Sequence, residues 1–272
     1  MYQLSVAIAD SSAQHNAFVV WRGFRESIEK AAKFGYNAVE LALCRAEEVD
    51  EGMLESALGR HNIDVSAIST GQVFAKLGQY LTHPDKTKRL ESVETVRDLI
   101  RLSEKYGKIV NLGRTRGFVG EGQSYEEAEA LALDSISRLL DTAEACDAEL
   151  IIEPLNRYET NFINTLDECA EFIQKTGSVR VGMMPDVFHM NIEAPRIGDA
   201  LVKHQKLVKY IHLADSNRRA PGWGHLDFQD VFDALGRMQF SGWLSVEVFP
   251  LPDADSAAKQ AIEYLKPLLA QG

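Results

Sequence analysis

Four short apolar runs in the second half of this chain each lead to a side chain that can bind a metal ion. Residues 150–152 lead to Glu153, 179–184 to Asp186, 207–211 to His212 and 244–246 to Glu247. Alone, a glutamate or histidine after an apolar run is an ordinary rim residue. Four at equivalent places in consecutive units point to a shared centre. Three carboxylates and an imidazole brought together could not all stay ionised in a partly dry site without a cation. A divalent ion removes the conflict. The mixed oxygen and nitrogen set suits one Mn²⁺ first, with Mg²⁺, Co²⁺ or Zn²⁺ also compatible. An ion so held polarises a carbonyl and acidifies the neighbouring C–H, so the chemistry open to the site is proton transfer at carbon.

Other polar residues lie within reach. Glu159 follows Glu153 by six residues, His189 follows Asp186 by three, and Arg218 follows His212 by six. His189 and Arg218 could hold negative charge developing on a substrate oxygen. The alternative is a rim ion pair with Glu159 or Asp215. A carboxylate on the substrate would need a cation, and Arg116 and Arg114 in the glycine-rich segment 113–123 are the candidates, since a guanidinium meets a carboxylate at two points. The alternative there is a solvated arginine on a mobile loop. His225 is expected to order its own loop.

Elements able to aim these groups follow from the apolar pattern. Strands are expected at 4–9, 38–43, 65–69, 108–112, 150–153, 179–186, 207–212 and 243–248. Helices are expected at 25–34, 47–60, 84–106, 124–145, 165–175, 197–204, 228–238 and 254–269. Ser124 with Glu127, and Thr165 with Glu168, have capping-box spacing. Segment 10–23 is expected as a long polar-aromatic loop, and 69–72 as a turn. The strands are apolar at consecutive positions, as when both faces of a parallel sheet are covered. Eight strand–helix repeats within 272 residues match one α/β domain, 1–272, closed as a (β/α)8 TIM barrel, whose active site lies where the strands end. An open doubly wound sheet is the alternative, but no Gly-x-Gly-x-x-Gly turn follows the first strand.

Bulk properties narrow the partners. A formal charge of −11 and no local basic patch oppose binding to nucleic acid or an anionic membrane. No leader-like N-terminus and no run long enough to span a bilayer are visible. Three widely spaced cysteines, Cys44, Cys146 and Cys169, suit reduced thiols and a cytoplasmic setting.

These residues resemble the xylose-isomerase-like TIM-barrel family of metal-dependent sugar isomerases and epimerases, which includes the tagatose/psicose 3-epimerases. The resemblance covers nearly the whole chain. Ser-Thr-Gly-Gln (69–72), Leu-Thr-His-Pro (81–84), Glu-Pro-Leu-Asn-Arg-Tyr-Glu-Thr (153–160), Phe-His-Met-Asn-Ile-Glu (188–193) and Ala-Asp-Ser-Asn-Arg (214–218) resemble the branch that epimerises keto-sugar acids such as 5-keto-L-gluconate. It implies one divalent metal on Glu153, Asp186, His212 and Glu247. It also implies an acid/base pair in Glu153 and Glu247, substrate contacts from Glu159, His189 and Arg218, a sugar or sugar-acid substrate passing through an enediolate, and a homo-oligomer, dimer or tetramer. An aldose–ketose or hydroxypyruvate-type isomerase is a neighbouring alternative, and a non-catalytic sugar-binding relic a third. Endonuclease IV-like repair enzymes share the barrel but need histidines at the ends of strands two and three, which here read Ala42-Leu43-Cys44 and Ile68-Ser69-Thr70.

Overall fold

Alternation along a strand decides which side chains reach the inside of a barrel. The computed structural model describes residues 2–14 and 16–270; His15, in the expected loop 10–23, and residues 1, 271 and 272 of the expected domain lie outside them. Eight parallel strands form the ring: β1 Gln3–Ala9, β2 Ala38–Ala42, β3 Asp64–Ser69, β4 Ile109–Asn111, β5 Glu149–Ile152, β6 Val181–Met183, β7 Tyr210–Leu213 and β8 Trp243–Val246. Their order is β6-β5-β4-β3-β2-β1-β8-β7. The isolated bridges Met183↔Val208 and Asp186↔His212 join β6 to β7 and complete the turn of the barrel. A two-residue strand, Trp21–Arg22, pairs beside the end of β1.

The two faces of each strand are sorted by residue type. Leu4, Val6 and Ile8 of β1, Val39 and Leu41 of β2, Leu150 and Ile152 of β5, Ile211 and Leu213 of β7, and Leu244 and Val246 of β8 all join the main core between strands and helices. The intervening positions face the lumen. Ala7, Ala9 and Ala42 cluster there, as do Ala67, Ile151, Met184 and Tyr210. Continuing the same parity by one step puts Glu153 two residues after Ile151, His212 two after Tyr210, Glu247 two after Ser245 and Asp186 two after Met184. The lumen-facing register thus carries all four groups to one end of the barrel.

The helices are α1 Phe24–Phe34, α2 Glu51–His61, α3 Gly71–Leu77, α4 Lys86–Ser103, α5 Tyr125–Ala145, α6 Leu166–Thr176, α7 Val187–Glu193, α8 Ile197–Lys203, α9 Phe228–Met238 and α10 Ala254–Leu269. Both expected capping boxes form, at Ser124/Glu127 and Thr165/Glu168. Among the described residues no helix is long and apolar enough to cross a membrane, and Cys44, Cys146 and Cys169 are buried free thiols.

Several expectations need correction. α2 starts at Glu51, capped by Asp50, because residues 46–48 form a separate 3₁₀ turn. α4 starts at Lys86 rather than at Pro84, because Asp85 caps it. The expected turn at 69–72 runs into α3, and α7 begins directly after Asp186, whose carboxylate accepts from Phe188 N–H at 2.9 Å. His212 is the next-to-last residue of β7, whereas β5 and β6 stop short of Glu153 and Asp186. The segment 113–123 is not a loose loop at its start: residues 114–116 form a 3₁₀ turn with Thr115 and Arg116 fully buried.

Candidate metal centre

Glu153, Asp186, His212 and Glu247 each offer one ligand atom, and these atoms lie within 4.8 Å of one another. Glu153 is 5% exposed, Asp186 1% and His212 0%. His212 Nδ1 lies 3.7 Å from a Glu153 oxygen and 3.6 Å from a Glu247 oxygen. Residue 113, a glycine, leaves room for this carboxylate: a Cβ there would sit 2.6 Å from Glu153 Oε2.

Two buried atoms in this cluster, Asp186 Oδ2 and His212 Nδ1, have no hydrogen-bond partner. Buried polar atoms are rarely left so. The other side of each residue is occupied. Asp186 Oδ1 caps α7, and His212 Nε2 lies 2.9 and 3.1 Å from the two oxygens of Glu40. Nε2 therefore carries a proton, and in the neutral ring Nδ1 presents its lone pair to the cluster, the arrangement that orients a metal-binding imidazole. Two lone pairs aimed at one dry point, between two further carboxylates, fit a divalent cation.

Electrostatics tell the same story. Burial pushes the Asp186 carboxyl up to about 7 even with Arg218 and His212 beside it. Burial also lifts Glu159. For Glu247, burial works upward but His212 and Arg218 outweigh it and hold the carboxyl below its usual range. For His212, burial works downward, and Glu40 and Glu247 outweigh it and hold the imidazole well above its usual value. The carboxylates have thus drawn whatever positive charge the chain supplies into the cluster.

Arg218 is the largest local supply. Its backbone adopts φ 60°, in the left-handed region that a non-glycine residue rarely enters. Its guanidinium lies between the rings of Phe18, 4.1 Å away, and Phe188, 4.6 Å away. From that slot it donates to Glu247 and lies 3.3 Å from Asp186 Oδ2 and 2.9 Å from His189 Nε2. Asn156 N–H donates to His189 Nδ1 at 3.2 Å. The neutral ring can accept at only one of these nitrogens, but with donors facing both an imidazolium is disfavoured, and burial together with Arg218 holds His189 well below its usual pKa. Glu159 is 3.9 Å from His189 Nδ1 and accepts from Asn156 Nδ2. The rim pairing of Arg218 with Asp215 does not occur. Asp215 instead accepts backbone N–H groups of its own loop, and His225 orders that loop through Ser216.

Arg116 is a correction. It is fully buried, and its guanidinium donates to the carbonyls of Gly113, Phe162 and Ile163 at 2.9, 2.5 and 2.8 Å. Burial lowers its pKa to about 10. It straps the segment after β4 to the segment after β5 and cannot reach a substrate. Arg114 does line the chamber above the cluster, with Ala42, Gln72, Glu153, Glu159, His189, Arg218 and Glu247. That chamber, about 140 Å³, is below the ~300–1,000 Å³ of drug-sized pockets and suits a small molecule.

Sequence reasoning missed Glu40, Asn111, Asn156, Phe18 and Phe188. Asn111 donates to Glu153 Oε2 at 3.1 Å. Glu40 is fully buried and also accepts from Tyr210 Oη at 3.0 Å, which shares a hydrogen bond with Ser66 Oγ. A signal existed for Glu40: it is one charged residue inside the apolar strand Ala-Val-Glu-Leu-Ala, on the lumen parity of Ala42.

Known proteins resemble this chain in sequence and fold. The xylose isomerase-like TIM barrel family matches residues 28–268. A D-psicose 3-epimerase of Enterocloster bolteae is 38% identical over 120 residues, which span 44% of this chain and 40% of that protein. An L-ribulose 3-epimerase of Mesorhizobium japonicum is 30% identical over 238 residues, 84% of this chain and 77% of that protein. A solved L-ribulose 3-epimerase structure, 24% identical, aligns with a TM-score of 0.85 over 100% of this chain and 95% of the other. The chain belongs to the xylose isomerase-like TIM barrel family.

Proposed function

We propose that this protein is a divalent-metal-dependent epimerase of a ketose or keto-sugar acid, of the 5-keto-L-gluconate or tagaturonate kind, and that Mn²⁺ is its ion. One observation carries the reading: Asp186 Oδ2 and His212 Nδ1 are buried, take part in no hydrogen bond and share one cluster with Glu153 and Glu247, with Arg218 and His189 alongside. An ion held by these four residues would polarise a ketose carbonyl and acidify the adjacent C–H.

The chain's own groups divide the remaining work. Glu153 follows β5 and Glu247 follows β8, with β6 and β7 between them around the ring. The two carboxylates therefore approach the chamber from different sides. One removes the proton beside the carbonyl and the other returns a proton to the opposite face, which inverts that carbon. Asn111 and Arg218 each steady one of these carboxylates. Arg218 and neutral His189 face the oxygens on which enediolate charge collects, and Glu159 hydrogen-bonds a substrate hydroxyl. A cytoplasmic homo-oligomer, dimer or tetramer, completes the proposal.

The test is hydrogen exchange. The Mn²⁺-loaded protein is incubated in D₂O with a panel of ketoses and ketoaldonates, and deuterium beside the carbonyl is followed by NMR. Epimer carrying deuterium at one inverted carbon is expected, and chelation should stop it. Aldose as the product would move the activity to the isomerases. No exchange on any substrate would sink the proposal.

A further inference from the structure

We propose that Arg114 and Gln72 form a subsite for an anionic end of the substrate, so that the preferred sugar carries a terminal carboxylate or phosphate. The proposal rests on the reading above, that this chamber binds a sugar. Three arginines border the chamber and its outer mouth: Arg114, Arg157 and Arg218. Two are committed. Arg218 is paired with Glu247 and Asp186, and Arg157 grips both oxygens of Glu193. Arg114 pairs with no carboxylate and donates no side-chain hydrogen bond among the described residues. Its guanidinium rests over the ring of Phe74, 4.8 Å from the centroid. A stacked guanidinium keeps its N–H edge free, and that edge matches a carboxylate or phosphate at two points.

Gln72 supplies an independent observation. It lines the same chamber, is 7% exposed, and its buried Oε1 has no hydrogen-bond partner. An unpaired buried amide costs free energy unless something fills its place. A hydroxyl next to an anionic terminus would do so, donating to the amide while Arg114 takes the anion.

The pair is held in place by the fold. Gln72 and Phe74 are both on α3, which packs against the 3₁₀ turn at 114–116. Thr115 Oγ1 donates to Thr70 O at 2.7 Å and fixes the turn to the start of α3. Arg116 anchors the turn from below. Arg114 and Gln72 come from the segments after β4 and β3, whereas Asp186, His212 and Glu247 come from β6, β7 and β8. A substrate could then present its carbonyl to one side of the chamber and its anionic end to the other.

The experiment compares Mn²⁺-loaded wild type, R114A, R114K and Q72A on D-fructose, 5-keto-D-gluconate and D-fructose 6-phosphate, with kcat/KM for deuterium incorporation as the readout. Wild type should favour one of the two anions over the neutral ketose, which also tells carboxylate from phosphate. R114A should shrink that preference by about 10- to 100-fold, the range of a charge-assisted hydrogen bond. R114K should recover part of it and Q72A should lose less. A wild type that prefers D-fructose, or an R114A that falls equally on all three, would overturn the subsite while leaving the epimerase reading intact. If nothing exchanges, the epimerase reading fails and calorimetry decides the subsite. Wild type must then bind D-gluconate more tightly than D-glucitol, and R114A must erase the difference; equal binding of the two by wild type refutes it.

Discussion

The two halves of the barrel mouth are built on the same register and filled oppositely. Around β1 to β4 the lumen-facing positions near the mouth are Ala9, Ala42, Ser69 and Asn111; around β5 to β8 they are Glu153, Asp186, His212 and Glu247. The first half leaves space and the second concentrates charge. Two hydrogen bonds reach from the first half to ligand groups of the second: Asn111 to Glu153 and Glu40 to His212. A barrel can therefore change chemistry by changing side chains at fixed positions, while the half whose mouth positions are uncharged serves as wall and as support.

The comparison can be broken by experiment, starting with the charged half. E153Q and E247Q should each lower the deuterium-exchange rate by about 10²–10⁴-fold, the usual contribution of a general base. A near-native rate in either variant, measured by NMR, would remove the two-base scheme. Next is the support. E40A should weaken Mn²⁺ affinity by about 10- to 100-fold, as loss of an outer hydrogen bond to a metal-bound histidine does. Calorimetry on E40A and on the milder E40Q checks this, and unchanged affinity in both would mean that His212 needs no holder. The wall should respond differently. A42L fills the alanine-lined side of the chamber and should raise KM about tenfold or more while Mn²⁺ affinity stays within about threefold, since the added atoms crowd a packed space without touching a ligand.

The smallest effect is one of pH. Burial raises the Asp186 carboxyl to about 7 in the folded protein, above its unfolded value near 4. A group raised in this way contributes stability that is complete below the unfolded pKa and is lost as pH rises through the folded one. Metal-free D186N should therefore melt higher than metal-free wild type at about pH 8, with no difference at about pH 4. Each kcal/mol should appear as about 2–4 °C. Mn²⁺ should stabilise wild type and not D186N. A pH-independent gap in a thermal melt would show that Asp186 is not the group responsible.

The ring and the four converging groups were legible because each strand's apolar run ends where the lumen opens, so pattern and position coincide. Glu159, His189 and Arg218 were found by proximity in sequence, and the structure brings all three to the cluster. Other parts were illegible for physical reasons. Both α3 and α7 are seven residues long, too short to show a helical period. Glu40 hid inside a strand, where an apolar context argues against charge. Arg116 looked like a surface arginine because nothing in a glycine-rich segment announces burial. Its three carbonyl acceptors come partly from Phe162 and Ile163, some 46 residues away in sequence.

Asp186 has an oxygen on each side of a boundary: one starts a helix and the other looks into the cluster. Two residues further on that helix sits a ring that clamps Arg218, and three residues on sits His189. Cation grip and charge-holding apparatus are thus a single mechanical part. An aspartate lengthened to glutamate would shift the helix start, the clamp and the imidazole together, so evolution can retune this corner only by moving all of it at once.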